Sequence, residues 1–332
     1  MKLMVTGGCG FIGSSLIRHF IKNTNDKIIN IDKLTYASNP ESLLSVSQDS
    51  RYVFEQCDII DREKVKNLIK KYEPDSIINL AAETHVDRSI KNPEEFINSN
   101  IIGTFVLLNS ALSYWESLTP SKKKTFRFHH VSTDEVFGSL TNKETPFKES
   151  SQYKPNSPYS ATKASSDHLV RSWHKTYGLP TIVTNCSNNY GPYQYKEKFI
   201  PLIITNAMRG KKIPIYGSGL QIRDWLYVDD HSKALDLVLK NGKIGETYNI
   251  GGNCEQNNLF VVNKICEILE KKIYNSKKIK NLIEHVVDRP GHDVRYAIDT
   301  SKIYLELGWQ PKETFETGLE KTVNWYLKNC SM

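Results

Sequence analysis

Two residue types that can move a proton stand one helical turn apart in Tyr159-Ser160-Ala161-Thr162-Lys163. A spacing of i and i+4 puts the phenol and the ammonium on one face of a helix. A nearby ammonium stabilises a phenolate and lowers its pKa, making tyrosine a usable base near neutrality. Upstream, Ser132-Thr133 closes an apolar run and two carboxyls follow, Asp134 and Glu135. At the start of the chain, Thr6-Gly7-Gly8-Cys9-Gly10-Phe11-Ile12-Gly13 follows an apolar run and opens a helical pattern. Glycines at 7, 10 and 13 permit a tight turn, close approach of backbone to a pyrophosphate, and close helix–strand packing. The helix N-terminus behind them offers oriented N–H groups to phosphate. Asp32 lies nineteen residues beyond Gly13, near the ~20 at which an acid meets the adenosine ribose hydroxyls. A carboxylate there repels a 2′-phosphate, so NAD is favoured over NADP. Asp58 also follows an apolar run and either meets the adenine amine or serves the turn structurally.

These residues need a scaffold, and the apolar periodicity supplies one. Leu3–Thr6, Ile28–Ile31, Tyr52–Gln56, Ser76–Leu80, Phe128–Ser132 and Pro180–Asn185 read as strands. Phe11–Lys22, Arg62–Tyr72, Pro93–Trp115 and Ser157–Tyr177 carry apolar residues at helical spacing between them. The last starts with Pro158, a favoured first helical position, and stops at Gly178. Such alternation implies an α/β fold: a Rossmann-type, doubly wound parallel sheet with helices on both faces. From about residue 190 the pattern loosens into short helices (Phe199–Arg209, His231–Asn241, Phe260–Lys271, Phe315–Lys328) between stretches rich in Gly, Asn and Pro. This predicts a dinucleotide-binding domain over residues 1–190 and a smaller α+β substrate domain over 191–332, with elements exchanged between them.

Composition narrows the partners. The 332 residues are 39% hydrophobic and 24% charged, which excludes disorder or coiled coil as the main state. The net charge of +7 is spread out. The basic runs Lys122–Lys124, Lys271-Lys272 and Lys277-Lys278 are too short for a nucleic-acid arm, and an anionic small molecule is the expected partner. Six cysteines (Cys9, Cys57, Cys186, Cys254, Cys266, Cys330) lie far apart, which argues against a zinc site or a disulfide framework. His85, His129 and His130 lack metal spacing, so no metal is expected; His130 reads as packing or hydrogen bonding. No signal peptide is read at the N-terminus and no apolar run approaches the ~20 residues that cross a bilayer. A cytoplasmic protein is expected.

The stretches Thr6–Gly13, Asp32–Ala37, Leu80–Ser89, His129–Gly138, Ser157–Val170, Thr184–Pro192, Ile222–Val228 and Asp288–Asp293 together resemble the extended short-chain dehydrogenase/reductase family. Within it they are most similar to the nucleotide-sugar 4,6-dehydratases, over nearly the whole chain. Family epimerases carry small or hydroxyl residues where this chain has Asp134 and Glu135. An epimerase needs only hydride removal and return, whereas a dehydratase also needs a base for C5 and an acid for the C6 hydroxyl. The resemblance implies a hydro-lyase with NAD as cofactor and dTDP-glucose as substrate. Tyr159, with Lys163, would take the 4-hydroxyl proton and Thr133 would bond the 4-oxygen; Glu135 would take the C5 proton and Asp134 protonate the C6 oxygen. UDP-glucose or GDP-mannose as substrate, a 4-epimerase, and a non-catalytic NAD-sensing protein remain the alternatives.

The same resemblance carries contacts over by position. The cofactor falls to Gly7, Gly10, Phe11, Ile12 and Gly13, to Asp32, Lys33, Leu34 and Thr35, and to Asp58 and Ile59. Leu80, Ala81, Ala82, Glu83 and Thr84 continue it, with Ser99, Tyr159, Lys163 and Asn189. The nucleotide-sugar falls to Thr84, Thr133, Asn188, Lys198 and Phe199, then Pro214, Ile215, Tyr216, Arg223 and Asn258. Asp288, Arg289, Pro290, Gly291 and His292 complete it. Arg223 and Arg289, each beside an aspartate, suit bidentate contact with a pyrophosphate, or else a structural ion pair. A homodimer is implied through the helices at Pro93–Trp115 and Ser157–Tyr177.

Overall fold

Short β-branched runs and amphipathic helices do alternate through the first half of the computed structural model, which describes residues 1–273 and 278–330. Lys277 of the last basic run lies outside the described residues. The order is β1 (Lys2–Thr6), α1 (Phe11–Asn23), β2 (Lys27–Asp32), β3 (Tyr52–Gln56), α2 (Arg62–Tyr72) and β4 (Ser76–Asn79). Then come α3 (Pro93–Ser117), β5 (Arg127–Thr133), α4 (Pro158–Tyr177) and β6 (Thr181–Cys186). Local chemistry sets the helix ends. The Asp61 side chain accepts from the Lys64 N–H to start α2. Ser157 and Ser160 form a reciprocal capping box ahead of α4, and Gly178 ends that helix at φ 74°, where a Cβ would be strained.

All pairings in the main sheet are parallel, and with β10 (Thr247–Ile250) at one edge the order is β10-β6-β5-β4-β1-β2-β3. The strand order reverses between β1 and β4, and open α/β sheets bind ligands at the carboxyl ends beside such a reversal. The seventh strand, β10 (Thr247–Ile250), arrives from the second half of the chain through α6 (Val228–Asn241). Leu16, Ile17 and Phe20 of α1 pack with Ala234, Leu235 and Val238 of α6 on one face of the sheet. Val65, Leu68 and Ile69 of α2 pack with Val106, Leu107 and Leu108 of α3 on the other. The sheet is therefore doubly wound, and residues 228–250 return to it.

The helix α3 corrects one expectation. By length and composition it is long and apolar enough to cross a membrane. A search for uninterrupted apolar runs misses it because Asn98, Asn100 and Asn109 break the run. Half of its apolar window is buried inside the fold (50%), so it serves as a covering helix of the sheet. It also winds as a π-helix over Ile97–Ile102, a distortion that often marks functional sites. It carries Ser99 and Asn100 inward, both buried.

Beyond β6 the remaining elements form a second lobe. β7 (Asn188–Tyr190), β9 (Ile222–Tyr227) and β11 (Glu255–Asn257) make one small sheet; β8 (Ile213–Tyr216) and β12 (Ile283–Val286) pair in parallel as another. Ile203, Ile204, Val262, Ile265, Leu319 and Val323, from the helices α5 (Phe199–Met208), α7 (Asn258–Lys272) and the C-terminal Phe315–Asn329, fill its core. The cleft between this core and the sheet's carboxyl edge holds the site.

Candidate active site

The glycine turn is shaped by what a side chain would strike. A Cβ on Gly7 would lie 2.7 Å from the Ala81 backbone, and one on Gly13 would lie 2.3 Å from the Gly7 carbonyl oxygen. Only glycine lets α1 start this close to β1 and β4. Asp32 is held beside the turn: Oδ2 accepts from the Cys9 N–H at 2.9 Å, and Oδ1 accepts from Leu34 N–H at 2.8 Å and the Ser38 hydroxyl at 2.9 Å. Lys33 donates to Ser99 Oγ at 2.9 Å and lies 3.7 Å from Asp58 and 3.8 Å from Glu83. Burial raises the Glu83 carboxyl while Lys33 opposes it. The cleft above runs from the glycine turn to Gln194, Tyr195 and Lys198. The cradle and the fixed acid fit an adenine dinucleotide.

Thr133 ends β5, and Asp134–Phe137 turns away as a single 3₁₀ turn, which swings both carboxyls into the same cleft. The Thr133 hydroxyl accepts from the Glu135 N–H and donates to Asp134 Oδ1, both at 3.3 Å. Asp134 Oδ2 is buried without a hydrogen-bond partner among the described residues. Burial pushes the Asp134 carboxyl well above its usual range, and Glu135 and Asp224 add repulsion. Burial raises Glu135 too, against the opposing charges of Arg289, Arg223 and Lys198. Both acids are thereby driven toward their protonated forms.

Tyr159 and Lys163 both line this wall of the cleft. Burial pushes the Tyr159 phenol well above its ordinary value and Glu135 pushes it further, while a hydrogen bond with Thr133 pulls it down. Lys163 donates to the Val131 carbonyl at 2.8 Å, and burial lowers its pKa. The expected dominance of the ammonium over the phenol is therefore corrected: desolvation and the acid pair weigh more. The proton affinity of the buried phenol therefore depends on the charge of Glu135 and Asp134.

Most sequence-derived positions meet here. Gly7, Gly10, Phe11, Ile12, Gly13, Asp32, Lys33, Thr35, Asp58, Ile59, Leu80–Thr84, Ser99, Asn188, Asn189 and Lys198 all line the cleft. Leu34 does not; at φ 63° its side chain turns into the core beside α1. Of the substrate positions, Ile215 is fully buried in the second lobe's core and Phe199 stacks on Trp225. Arg223 makes no pair with its neighbour Asp224. Its guanidinium donates to the Ile222 and Asp293 carbonyls at 2.7 and 3.0 Å and covers the Tyr296 ring. Asp224 instead accepts from the Gly252 and Cys254 N–H groups. Arg289 lies 3.6 Å from Asp87, Tyr216 donates to the same Asp87, and Asp288 contacts His292 at 2.6 Å. Pro214, Asn258, Pro290 and Gly291 also stand outside the main cleft, on the second lobe.

The sequence reading missed Ile31, Ala37, Ser38, Cys57, Val131, Ser132, Cys186, Ser187, Gln194 and Tyr195 in the lining. The rule that ligands sit at strand carboxyl ends would have found Ser132, Cys186 and Ser187. Gln194 and Tyr195 lie on an irregular segment with no local signature. Among the described residues no cluster of His, Cys, Asp or Glu is arranged to hold a metal.

Comparison with known proteins adds kinship to this geometry. Residues 4–322 match the family described as GDP-mannose 4,6 dehydratase. The chain is 58% identical to a dTDP-glucose 4,6-dehydratase of Shigella flexneri, over 100% of this chain and 94% of that one. A dTDP-glucose 4,6-dehydratase from Bacillus anthracis, solved in complex with NAD, superposes with a TM-score of 0.88 at 46% identity, covering 99% of this chain and 97% of the other. One from Streptomyces venezuelae, also with NAD bound, gives 0.91 at 41%, covering 99% and 98%.

Proposed function

We propose, from the premise that the chain belongs to the GDP-mannose 4,6-dehydratase family, that it converts dTDP-glucose to dTDP-4-keto-6-deoxyglucose and water. The reaction makes it an NAD-dependent hydro-lyase. The family description names GDP-mannose, but full-length relatives at 58% identity act on dTDP-glucose, and the base preference follows them. The observation that carries the reading is the pair Asp134 and Glu135 converging with Tyr159 on one cleft, bridged by Thr133.

The dinucleotide, held by the glycine turn and Asp32, supplies a hydride acceptor for C4 and a donor for C6. The chain's own groups handle the protons. Tyr159 takes the proton of the sugar 4-hydroxyl, and the resulting ketone acidifies the C5–H bond. Glu135 takes that proton and later returns it to C5. Asp134, kept protonated by burial, gives its proton to the C6 oxygen, which leaves as water. One turnover leaves Tyr159 with one proton more and Asp134 with one fewer. The Thr133 hydroxyl, bonded to both, closes that balance. Lys198, Arg223 and Arg289 are the cations that favour the charged form of Glu135, and they suit the diphosphate end of the substrate.

Incubation with dTDP-, UDP- and CDP-glucose and GDP-mannose tests the reading. A 4-keto-6-deoxy product from dTDP-glucose is expected. A 4-epimer, or no turnover of any of them, overturns it; preference for GDP-mannose or UDP-glucose overturns the choice of base. The pairing of α3 and α4 between two copies is supported by Ile97, Ile102 and Tyr177, which stand 45%, 40% and 51% exposed on these helices. Light scattering at micromolar concentration should give twice the 38.0 kDa chain mass; a monomer refutes the dimer. The widely spaced cysteines suit the cytoplasm, as the sequence reading has it.

A further inference from the structure

The Tyr159–Lys163 spacing continues along α4. Asp167 and Arg171 follow at the same interval, so four side chains form one row on the helix. Lys163 is only 4% exposed. Beside its bond to Val131, its Nζ lies 3.5 Å from His130 Nε2. The same ring nitrogen lies 3.4 Å from Asp167 Oδ1. Asp167 Oδ2 accepts from the Tyr153 hydroxyl at 2.7 Å and the Asn185 amide at 3.3 Å. The Tyr153 hydroxyl accepts in turn from Arg171 at 2.6 Å. The side chain of Asp167 is fully buried, at 0% exposure.

A fully buried carboxylate is costly unless a charge answers it. The groups around it decide which charge. On β5, His130 is pushed down to about 4 by burial and then by Lys163, and His129 to about 3; both rings are neutral at pH 7. The Asn79 amide lies 3.2 Å from His130 Nδ1, and as its donor leaves the ring proton on Nε2, toward Asp167. On β6, burial pushes the Cys186 thiol up to about 12. After β5, Asp134 and Glu135 are raised, as is Tyr153 on the adjoining loop. Asp167 is the exception: burial opposes its ionisation, yet His130, Lys163 and Arg171 together hold it below the usual range. In this buried neighbourhood it is the acid that stays ionised, and it heads the groups that favour the charged form of Lys163.

We propose that Asp167 is the counter-ion of Lys163, a positioning residue that meets the same His130 ring nitrogen and keeps the ammonium charged in its buried seat. This rests on the reading above that Tyr159 and Lys163 carry out C4 deprotonation. Removing the carboxylate lets the ammonium lose its proton at lower pH, and with it the charge that favours the Tyr159 phenolate.

The test is Asp167→Asn in the holoenzyme, with Asp167→Ser as a second charge-free variant where the amide does not fold. With dTDP-glucose, the alkaline limb of kcat for C4 oxidation should move down by about one pH unit or more. The rate at the parent's optimum should fall about tenfold with KM unchanged, and Asp167→Glu should restore the limb. Tyr153→Phe, which removes a bond to Asp167 but no charge, should lower Tm and leave the limb in place. A substrate-independent readout is the 13Cε NMR titration of Lys163, assigned with Lys163→Arg, which should shift down by about one unit or more in Asp167→Asn. An unmoved limb and an unmoved titration overturn the proposal, as does an equal shift in Tyr153→Phe. If the parent protein oxidises no nucleotide-sugar, the reaction assigned above fails, and the NMR titration alone still decides the counter-ion.

Discussion

Replacing Asp134 with asparagine separates chemistry from stability in this site. The change keeps shape and hydrogen-bonding capacity but removes the proton that the C6 oxygen must receive. Loss of one general acid costs roughly 10²–10⁴ in rate, about 3–5 kcal/mol of barrier. C4 oxidation does not use Asp134, so a stopped-flow experiment should show enzyme-bound NADH accumulating with a 4-keto hexose that still carries its C6 oxygen. Stability should move the other way. Burial and Glu135 raise the Asp134 pKa above its unfolded value. The folded state thus binds that proton more tightly, and its contribution is complete below the unfolded pKa and is lost as pH rises toward the folded one. Each unit of that rise is worth about 1.4 kcal/mol. Asparagine, neutral at every pH, avoids this loss, so Tm near neutrality should rise while turnover falls. Turnover at the parent rate, or failure without any NADH signal, would refute the division of labour. A lower Tm at neutral pH would refute the claim that a strained acid sits here.

Tyr159→Phe should block the first step, with no NADH signal in the same instrument; a burst like that of Asp134→Asn would reassign the first base. Glu135→Gln should form NADH but exchange the C5 proton with deuterated solvent roughly 10²–10⁴ more slowly, a loss that an unchanged deuterium content would rule out. Gly13→Ala puts a methyl 2.3 Å from the Gly7 oxygen, so the turn must open. The purified variant should release little dinucleotide on denaturation, while the parent releases one without a 2′-phosphate; NADP from the parent would contradict the part assigned to Asp32. Acid should destabilise the protein early. His130, buried and pushed from 6.5 to about 4, binds its proton in the unfolded chain first. Stability present above pH 6.5 is therefore lost as pH falls toward 4, by about 3 kcal/mol for this ring. A His130→Gln variant whose Tm falls with acid as steeply as the parent's would show that other groups govern that window.

The sequence alone determined the features that neighbours along the chain can encode. The turn from Gly7 to Gly13, the spacing to Asp32, the caps around Pro158 and Gly178, and the i, i+4 pair of Tyr159 and Lys163 are all local. Backbone conformation and helical period express them without help from distant residues. The alternating first half was legible for the same reason, since strands buried on both faces and amphipathic helices have different periods. Tertiary structure decided whatever depends on contacts across long stretches of chain. β10 joins the main sheet only after α6 has crossed back onto α1. β7 and β11, three residues each, are too short to show a period and gain their form by pairing with β9. The helix α3 reads as continuous, yet Asn100 bends into a buried network with Glu83 and Thr162, and the helix widens there into a π turn. Leu34 and Ile215 matched their motifs by position but faced the core, because a motif fixes a residue's place in the chain and not the side to which its backbone turns. The charge states are the clearest case. Sequence showed a lysine four residues from a tyrosine; burial pushed both groups toward neutrality and left Asp167 ionised behind them. Proton affinity depends on the water excluded and the charges enclosed, and a folded interior fixes both.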